Sequence, residues 1–365
     1  MMKQNKIGSI GCILLLALWA ALTFGAWFAS PEAVSESERR PLAQLPAFDS
    51  KKPGEFIGKF EEYTLDQFPL RDSFRRLKSL FHYHVLNQKD NNDIYLVNGY
   101  AAKMEYPLNT ASVNRALGKF RNIYETCLKG NCENIVFAVV PDKGYYLAQP
   151  NGYLSMDYDA LFSMVQGLEW AEYVDLTGLL RPEDYYRTDT HWRQEKLLPV
   201  AQALLAALGG EVGQGSYTPV NLKRPFYGVY YGQAALPMEP ETMTILTSDT
   251  LDGCTVTNLE TGKEGGVYDM DKQESPDLYD VFLSGAVSLM TIENPNAPEE
   301  KELIVFRDSF GSSLVPLLAE SYSKITLVDI RYVSSQMLDK FLIFDGQDVL
   351  FLYSTLILNN SATLK

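Results

Sequence analysis

The sequence predicts an α/β protein built on a doubly wound, mostly parallel sheet, and three observations carry that reading. The runs Asn134–Val140, Leu303–Phe306 and Val349–Tyr353 are apolar almost throughout, as strands covered on both faces must be. Segments with apolar residues at three- and four-residue steps stand between them, so helices alternate with strands. The stretch 303–353 then reads strand, helix, strand, helix, strand, the order that closes parallel strands through crossovers.

The elements follow in chain order. From Ile7 to Ser30 there are 24 residues without a charge, and at about 1.5 Å per residue a helix of that length crosses a bilayer. The run reads as a membrane helix or a signal peptide. Lys3 and Lys6 precede it, while Glu32, Glu36 and Glu38 follow, which keeps the N-terminus in the cytoplasm and exports the rest. Ala26-Trp27-Phe28-Ala29-Ser30-Pro31 fits a signal-peptidase site poorly, and this favours a retained anchor over residues 1–30. Residues 31–92 read as a juxtamembrane linker followed by two short amphipathic helices. Phe56 and Phe60 share one face, and Phe74, Leu77, Phe81 and Val85 share another after a break at Pro69. His82 and His84 are two residues apart, so they do not share a helix face and make a poor metal pair.

The main domain is expected over 93–365. Asp93–Val97 and Tyr100–Tyr106 flank Asn98-Gly99 as a hairpin. A helix is predicted over 110–129 with Gly130 as its cap, then the strand 134–140, a helix over 157–169 and a short strand over 173–176. A helix over 193–208 carries Pro199 as a kink. Helices over 312–320 and 333–342 separate the strands 303–306, 325–328 and 349–353. Residues 211–300 are rich in Gly, Thr, Pro and acidic residues without helical period, and are expected to form a β-rich or looped insertion.

Composition excludes several classes. A formal net charge of -14 repels nucleic acid and anionic headgroups rather than steering toward them. Four cysteines, Cys12, Cys127, Cys132 and Cys254, are too few and too scattered for a disulfide framework or a paired zinc site. Cys127 and Cys132 stand close enough to close a short loop in an oxidising compartment, which would leave Cys254 single. No metal and no soluble cofactor is expected.

In an open α/β sheet, ligands gather beyond the C-terminal strand ends. Ser309 has that position, following the strand 303–306 through Arg307-Asp308 and coming just before the next helix. Its hydroxyl would stand above the sheet, with nearby backbone amides, that of Gly311 among them, as candidate oxyanion donors. An N-cap is the other reading of a serine there. A serine nucleophile needs a base, and His191 is the only histidine of the α/β domain. Asp189, two residues before it, is placed to fix the imidazole tautomer. A satisfied structural histidine beside Trp192 is the bland alternative.

Tyr185-Tyr186-Arg187-Thr188-Asp189-Thr190-His191-Trp192 resembles the signature of the bacterial DHHW proteins, which are similar to the SGNH hydrolase-like acetyltransferase domains of alginate O-acetylation. Further matches run in order over about residues 55–355: Phe68-Pro69-Leu70-Arg71-Asp72, Val140-Pro141-Asp142-Lys143, Phe226-Tyr227-Gly228, the stretch Tyr279–Gly285, Arg307–Gly311 and Val328–Tyr332. Thr190 replaces the histidine that gives the signature its second letter, and Arg307 stands where the family often has lysine. The resemblance implies an SGNH hydrolase-like fold with a triad of Asp189, His191 and Ser309, and Arg331 and Tyr353 bordering the site. It also implies O-acyl transfer or ester hydrolysis on a cell-surface or exported polysaccharide, with a membrane-bound acyltransferase as acyl donor. A catalytically silent polysaccharide-binding or assembly protein on the same fold is the second reading; its 22 Tyr and 18 Phe would suit sugar stacking.

Overall fold

The computed structural model describes residues 2–132, 134–210, 216–297 and 300–365, with side chains from Ser9 onward. The chain divides into two compact units, residues 1–91 with 232–237, and residues 92–231 with 238–365.

In the first unit, helix α1 (Met2–Phe28) includes Ser9–Phe28, of mean hydropathy 2.1 and with none of it buried, long and apolar enough by length and composition to cross a membrane. Helices α2 (Pro53–Asp66) and α3 (Arg71–His84) follow, and the break falls at Phe68-Pro69-Leu70. The connection between α1 and α2 is not the free linker expected from its composition. Val34–Ser35 pairs with Arg40–Pro41, and Arg40 donates to both oxygens of Asp66 at 2.8 and 2.6 Å. The Gln67 amide accepts from the Glu32 backbone at 2.9 Å and donates to the carbonyls of Glu32 and Ala43. Polar side chains near the α2–α3 corner thus satisfy backbone groups that this short strand pair leaves over.

The second unit is built on one eight-stranded sheet. Its strands are β1 (Ile135–Val140), β2 (Glu172–Val174), β3 (Thr255–Asn258), β4 (Glu264–Gly265), β5 (Leu289–Glu293), β6 (Glu302–Arg307), β7 (Lys324–Val328) and β8 (Asp348–Ser354). The order is β4-β3-β5-β7-β6-β8-β1-β2. From β7 to β2 neighbours run parallel, while β5, β3 and β4 add on antiparallel. Among its described residues the 211–300 stretch has short strands joined by loops and helical turns, and three of the strands extend the main sheet. A further pair, Thr218–Asn221 with Thr244–Thr247, lies outside that sheet.

Both sheet faces are covered, which is why the strands show no polar side. Val136, Ala138, Val305, Leu350 and Leu352 pack with helix α7 (Leu198–Ala207), Trp192 and Phe310 on one face. On the other, Phe137, Ile304, Phe306 and Phe351 pack with helices α4 (Thr110–Ile123) and α6 (Tyr158–Gln166); α5 (Lys143–Leu147) follows β1 directly. Phe306, Phe351 and Phe137 sit opposite one another on three adjacent strands, with ring centroids 4.7 and 5.6 Å apart in stacked pairs. Phe120 of α4 closes on this ladder at 5.5 Å from Phe137 and from Phe351.

Several helices depart from expectation, for local reasons. In the segment that follows Ser309, Gly311–Leu314 (α8) is α-helical and Val315–Ser321 tightens to 3₁₀. Pro316 has no N–H and its ring crowds the carbonyl four residues back, so the α ladder cannot pass it. Pro199 is the second residue of α7 and does not kink a helix begun at 193; Gln194–Lys196 before it is 3₁₀. The predicted helix over 333–342 is a 3₁₀ segment, Ser335–Lys340. The predicted 110–129 helix ends in a π turn, Tyr124–Leu128, with Gly130 at φ +77°. Cys127, Cys132 and Cys254 are free thiols, and burial pushes Cys132 up to about 11.

The phenylalanine ladder sets a stability expectation. Phe351→Ala removes the middle ring of the three and should cost about 3–5 kcal/mol in chemical denaturation. A loss below about 1 kcal/mol would show that the ladder is not a principal core contact.

Candidate active site

The loop between Tyr185 and Trp192, which pair across an isolated antiparallel bridge, holds Asp189 and His191. It is buried, so its backbone groups need partners. The Lys143 ammonium, at the start of α5, donates to the carbonyls of Tyr186 at 2.8 Å and Arg187 at 3.2 Å. The Glu241 carboxylate accepts from the Thr188 amide at 2.8 Å and its hydroxyl at 2.9 Å. Gly228 lies flat on the loop: a Cβ there would fall 2.3 Å from the Asp189 Cα, so only glycine fits, and its amide donates to the Thr188 hydroxyl at 2.9 Å.

Asp189 is fully buried. Its Oδ1 accepts from the His191 amide at 3.0 Å and lies 2.6 Å from His191 Nδ1, and its Oδ2 accepts from the Val229 amide at 2.7 Å. With Nδ1 protonated toward the carboxylate, Nε2 is left as an acceptor. Nε2 lies 2.9 Å from Ser309 Oγ, within reach for proton transfer. The imidazole is held flat by Tyr279, whose ring stacks on it with centroids 3.9 Å apart and planes 8° apart. Tyr279 is itself fixed through its hydroxyl, 2.7 Å from Ser313 Oγ, which also accepts from the Trp192 indole at 3.0 Å.

Ser309 stands just beyond β6, near the point where the parallel strands divide to either side. Two buried carboxylates brace the strand ends. Asp308 accepts from the Phe310 amide at 3.0 Å and from the Ser354 amide, at the end of β8, at 2.8 Å. Asp142, after β1, accepts from the Thr355 and Tyr158 hydroxyls and the Gly144 amide; burial raises its pKa against those bonds.

A model of the DHHW protein family matches residues 175–328. That stretch is the part of the chain that resembles the DHHW family. No curated protein shows significant sequence similarity to it. Among solved structures, a DHHW family protein from Eubacterium siraeum aligns with a TM-score of 0.59 and 21% identity, over 75% of this chain and 95% of that one. PatB1 from Bacillus cereus, solved with a sulfonyl adduct, aligns with a TM-score of 0.56 and 17% identity over 73% and 95%, and a second PatB1 structure with 0.55 over 73% and 96%. At these identities the likeness is one of fold.

The DHHW region contains Asp189, His191 and Ser309, and the fold brings these three together. The other expected site residues are placed differently. The Gly311 amide is committed to the Asp308 carbonyl at 3.1 Å, and the glycine is required because a Cβ would meet Arg307 at 2.9 Å. Arg331 is locked in a bidentate pair with Asp329, at 2.9 and 2.6 Å. Tyr353 is fully buried in the apolar layer, its ring 4.7 Å from Phe120. Thr190, at the signature's second letter, accepts from the Tyr230 hydroxyl at 3.1 Å. Sequence reasoning gave no role to Tyr279, Lys143 or Glu241. Tyr279 and Glu241 fall within the region the family model matches and Lys143 outside it, but only the folded geometry shows what they touch.

Lys143 is 2% exposed, and burial lowers its pKa to about 7 against the pull of Asp189, Glu241 and Asp142. Folding therefore disfavours its charged form between pH 7 and its ordinary value. The penalty is fully present below pH 7 and is relieved as pH rises, by at most about 1.4 kcal/mol per pH unit. Denaturation of the native protein and of Lys143→Met between pH 7 and 10 should show the native protein gaining stability relative to the variant. Parallel pH curves would refute the burial of a titrating ammonium.

Proposed function

We propose that the chain is an acyl-transfer enzyme with Ser309 as nucleophile, His191 as general base and acid, and Asp189 as the group that orients and charges the imidazole. The observation that carries this reading is the continuous path from Ser309 Oγ to His191 Nε2 at 2.9 Å and from His191 Nδ1 to Asp189 at 2.6 Å. His191 takes the Ser309 proton as Oγ attacks an acyl carbonyl carbon, and returns it to the departing alkoxide as the ester bond breaks. An acceptor hydroxyl, deprotonated by the same nitrogen, then attacks the acyl-serine and releases Ser309. A sugar hydroxyl makes the reaction a transfer, and water makes it a hydrolysis. Following the resemblance to acetyltransferase domains of alginate O-acetylation, the acyl group is read as acetyl and the acceptor as a cell-surface or exported polysaccharide, with a membrane-bound acyltransferase as donor. Helix α1 is read as a membrane anchor, with the rest of the chain on the extracytoplasmic side.

The test uses the full-length protein in detergent with p-nitrophenyl acetate and a sulfonyl fluoride. Ser309→Ala should abolish turnover and the sulfonyl mass increase, which arises when Oγ displaces fluoride; Asp189→Asn should lower turnover by on the order of 10³-fold or more. Unchanged turnover in Ser309→Ala would leave a binding protein on the same fold. Tyr279 offers a finer check. Tyr279→Phe keeps the stacked ring and should hold kcat within a few-fold, whereas Tyr279→Leu should lower kcat about 3- to 10-fold with KM unchanged. Equal losses in both variants would assign the effect to the hydroxyl.

A further inference from the structure

Helices α2 and α3 leave an unusual amount of apolar surface uncovered. No residue of α2 is buried, and Ser79 is the only buried residue of α3. Leu70 caps the start of α3, and Phe74, Leu77 and Phe81 follow it at steps of four, three and four as a stripe along the helix. They are 68%, 41%, 62% and 50% exposed. The contacts that α3 makes within its unit use another face: Arg75 donates to the Gly232 carbonyl at 2.8 Å and Ser79 to that of Ala234 at 2.9 Å. A stripe of this kind on a soluble surface demands an occupant.

The same unit indicates which occupant. The corner between α2 and α3 rests on α1: a Cβ on Gly25 would lie 3.6 Å from the Pro69 ring. Gly25 is in the last turn of α1, followed by Trp27 and Phe28, which are 82% and 83% exposed, where a spanning helix leaves the hydrocarbon and aromatic side chains collect. The hydrogen bonds from Gln67 to Glu32 and Ala43, and from Arg40 to Asp66, tie the corner to the chain leaving that helix. The stripe therefore begins at the depth of the outer membrane interface.

We propose that α2 and α3 form an interfacial element that lies on the outer leaflet, with Leu70, Phe74, Leu77 and Phe81 inserted among the headgroups and upper acyl chains. The inference rests on reading α1 as a membrane anchor. An apolar stripe is what drives insertion of a surface helix, and Lys78 beside it is exposed and able to meet lipid phosphate. The acidic balance of the whole chain makes general electrostatic attraction to the bilayer a poor alternative cause.

The test places nitroxide labels in the full-length chain, with Cys12, Cys127, Cys132 and Cys254 changed to Ala, in vesicles of phosphatidylethanolamine and phosphatidylglycerol. Single cysteines at Phe74, Leu77 and Phe81 should be oxygen-accessible and shielded from a nickel chelate. Asp72 on the same helix, and Ile343, 82% exposed in the other unit, should be open to the chelate. A cysteine at Leu15 reports on the anchor. If Leu15 reads as deep and the stripe reads as aqueous, the inference is overturned and a protein partner becomes the occupant to seek. If Leu15 itself reads as aqueous, the anchor reading falls, and this inference with it.

Discussion

A carboxylate shut away from water and facing an imidazole is the constraint around which this site is organised. Shut away from solvent, the Asp189 carboxylate takes hydrogen bonds from backbone amides and the ring nitrogen in place of those that water would supply. That requirement propagates outward. The loop must present its own amide at residue 191, residue 228 must lack a side chain, and the chain at 229 must lie within bonding distance. Lys143 and Glu241 then satisfy the groups that this loop buries, one as donor to carbonyls and one as acceptor from an amide and a hydroxyl.

Much of this was legible from the residues. The apolar runs at 134–140, 303–306 and 349–353 have no polar side because each strand packs against helices on two faces, and the alternation of Val136 with Phe137 or Val305 with Phe306 divides them cleanly between layers. The spacing of Asp189 and His191 is readable because a two-residue offset lets one carboxylate bond both the backbone and the ring of the histidine. Ser309 is readable from its place after a strand.

What the sequence concealed are contacts that depend on distant chain segments. Tyr279 lies in a stretch without period, 88 positions from the ring it stacks on, and although Tyr279–Gly285 resembles a family motif, nothing local marks that contact. The strands of the 211–300 stretch are short, and three of them join the main sheet because β5 pairs with β7 and β3 and β4 add beyond it, not from any pattern of their own. Prolines misled in a different way. Pro199 starts a helix that periodicity alone would begin earlier, and Pro316 ends α geometry while leaving a 3₁₀ path that preserves the apolar contacts of Leu317 and Leu318.

The antiparallel extension also decides how the sheet terminates. Its outermost strands are β4, two residues long, and β2, three residues long, so neither border offers a neighbouring molecule more than a couple of unpaired backbone groups in register. A sheet of eight strands with long borders would invite a second copy to continue it. Here the sheet ends on short strands at both edges, and crowding many copies together gives those edges little template on which to fuse.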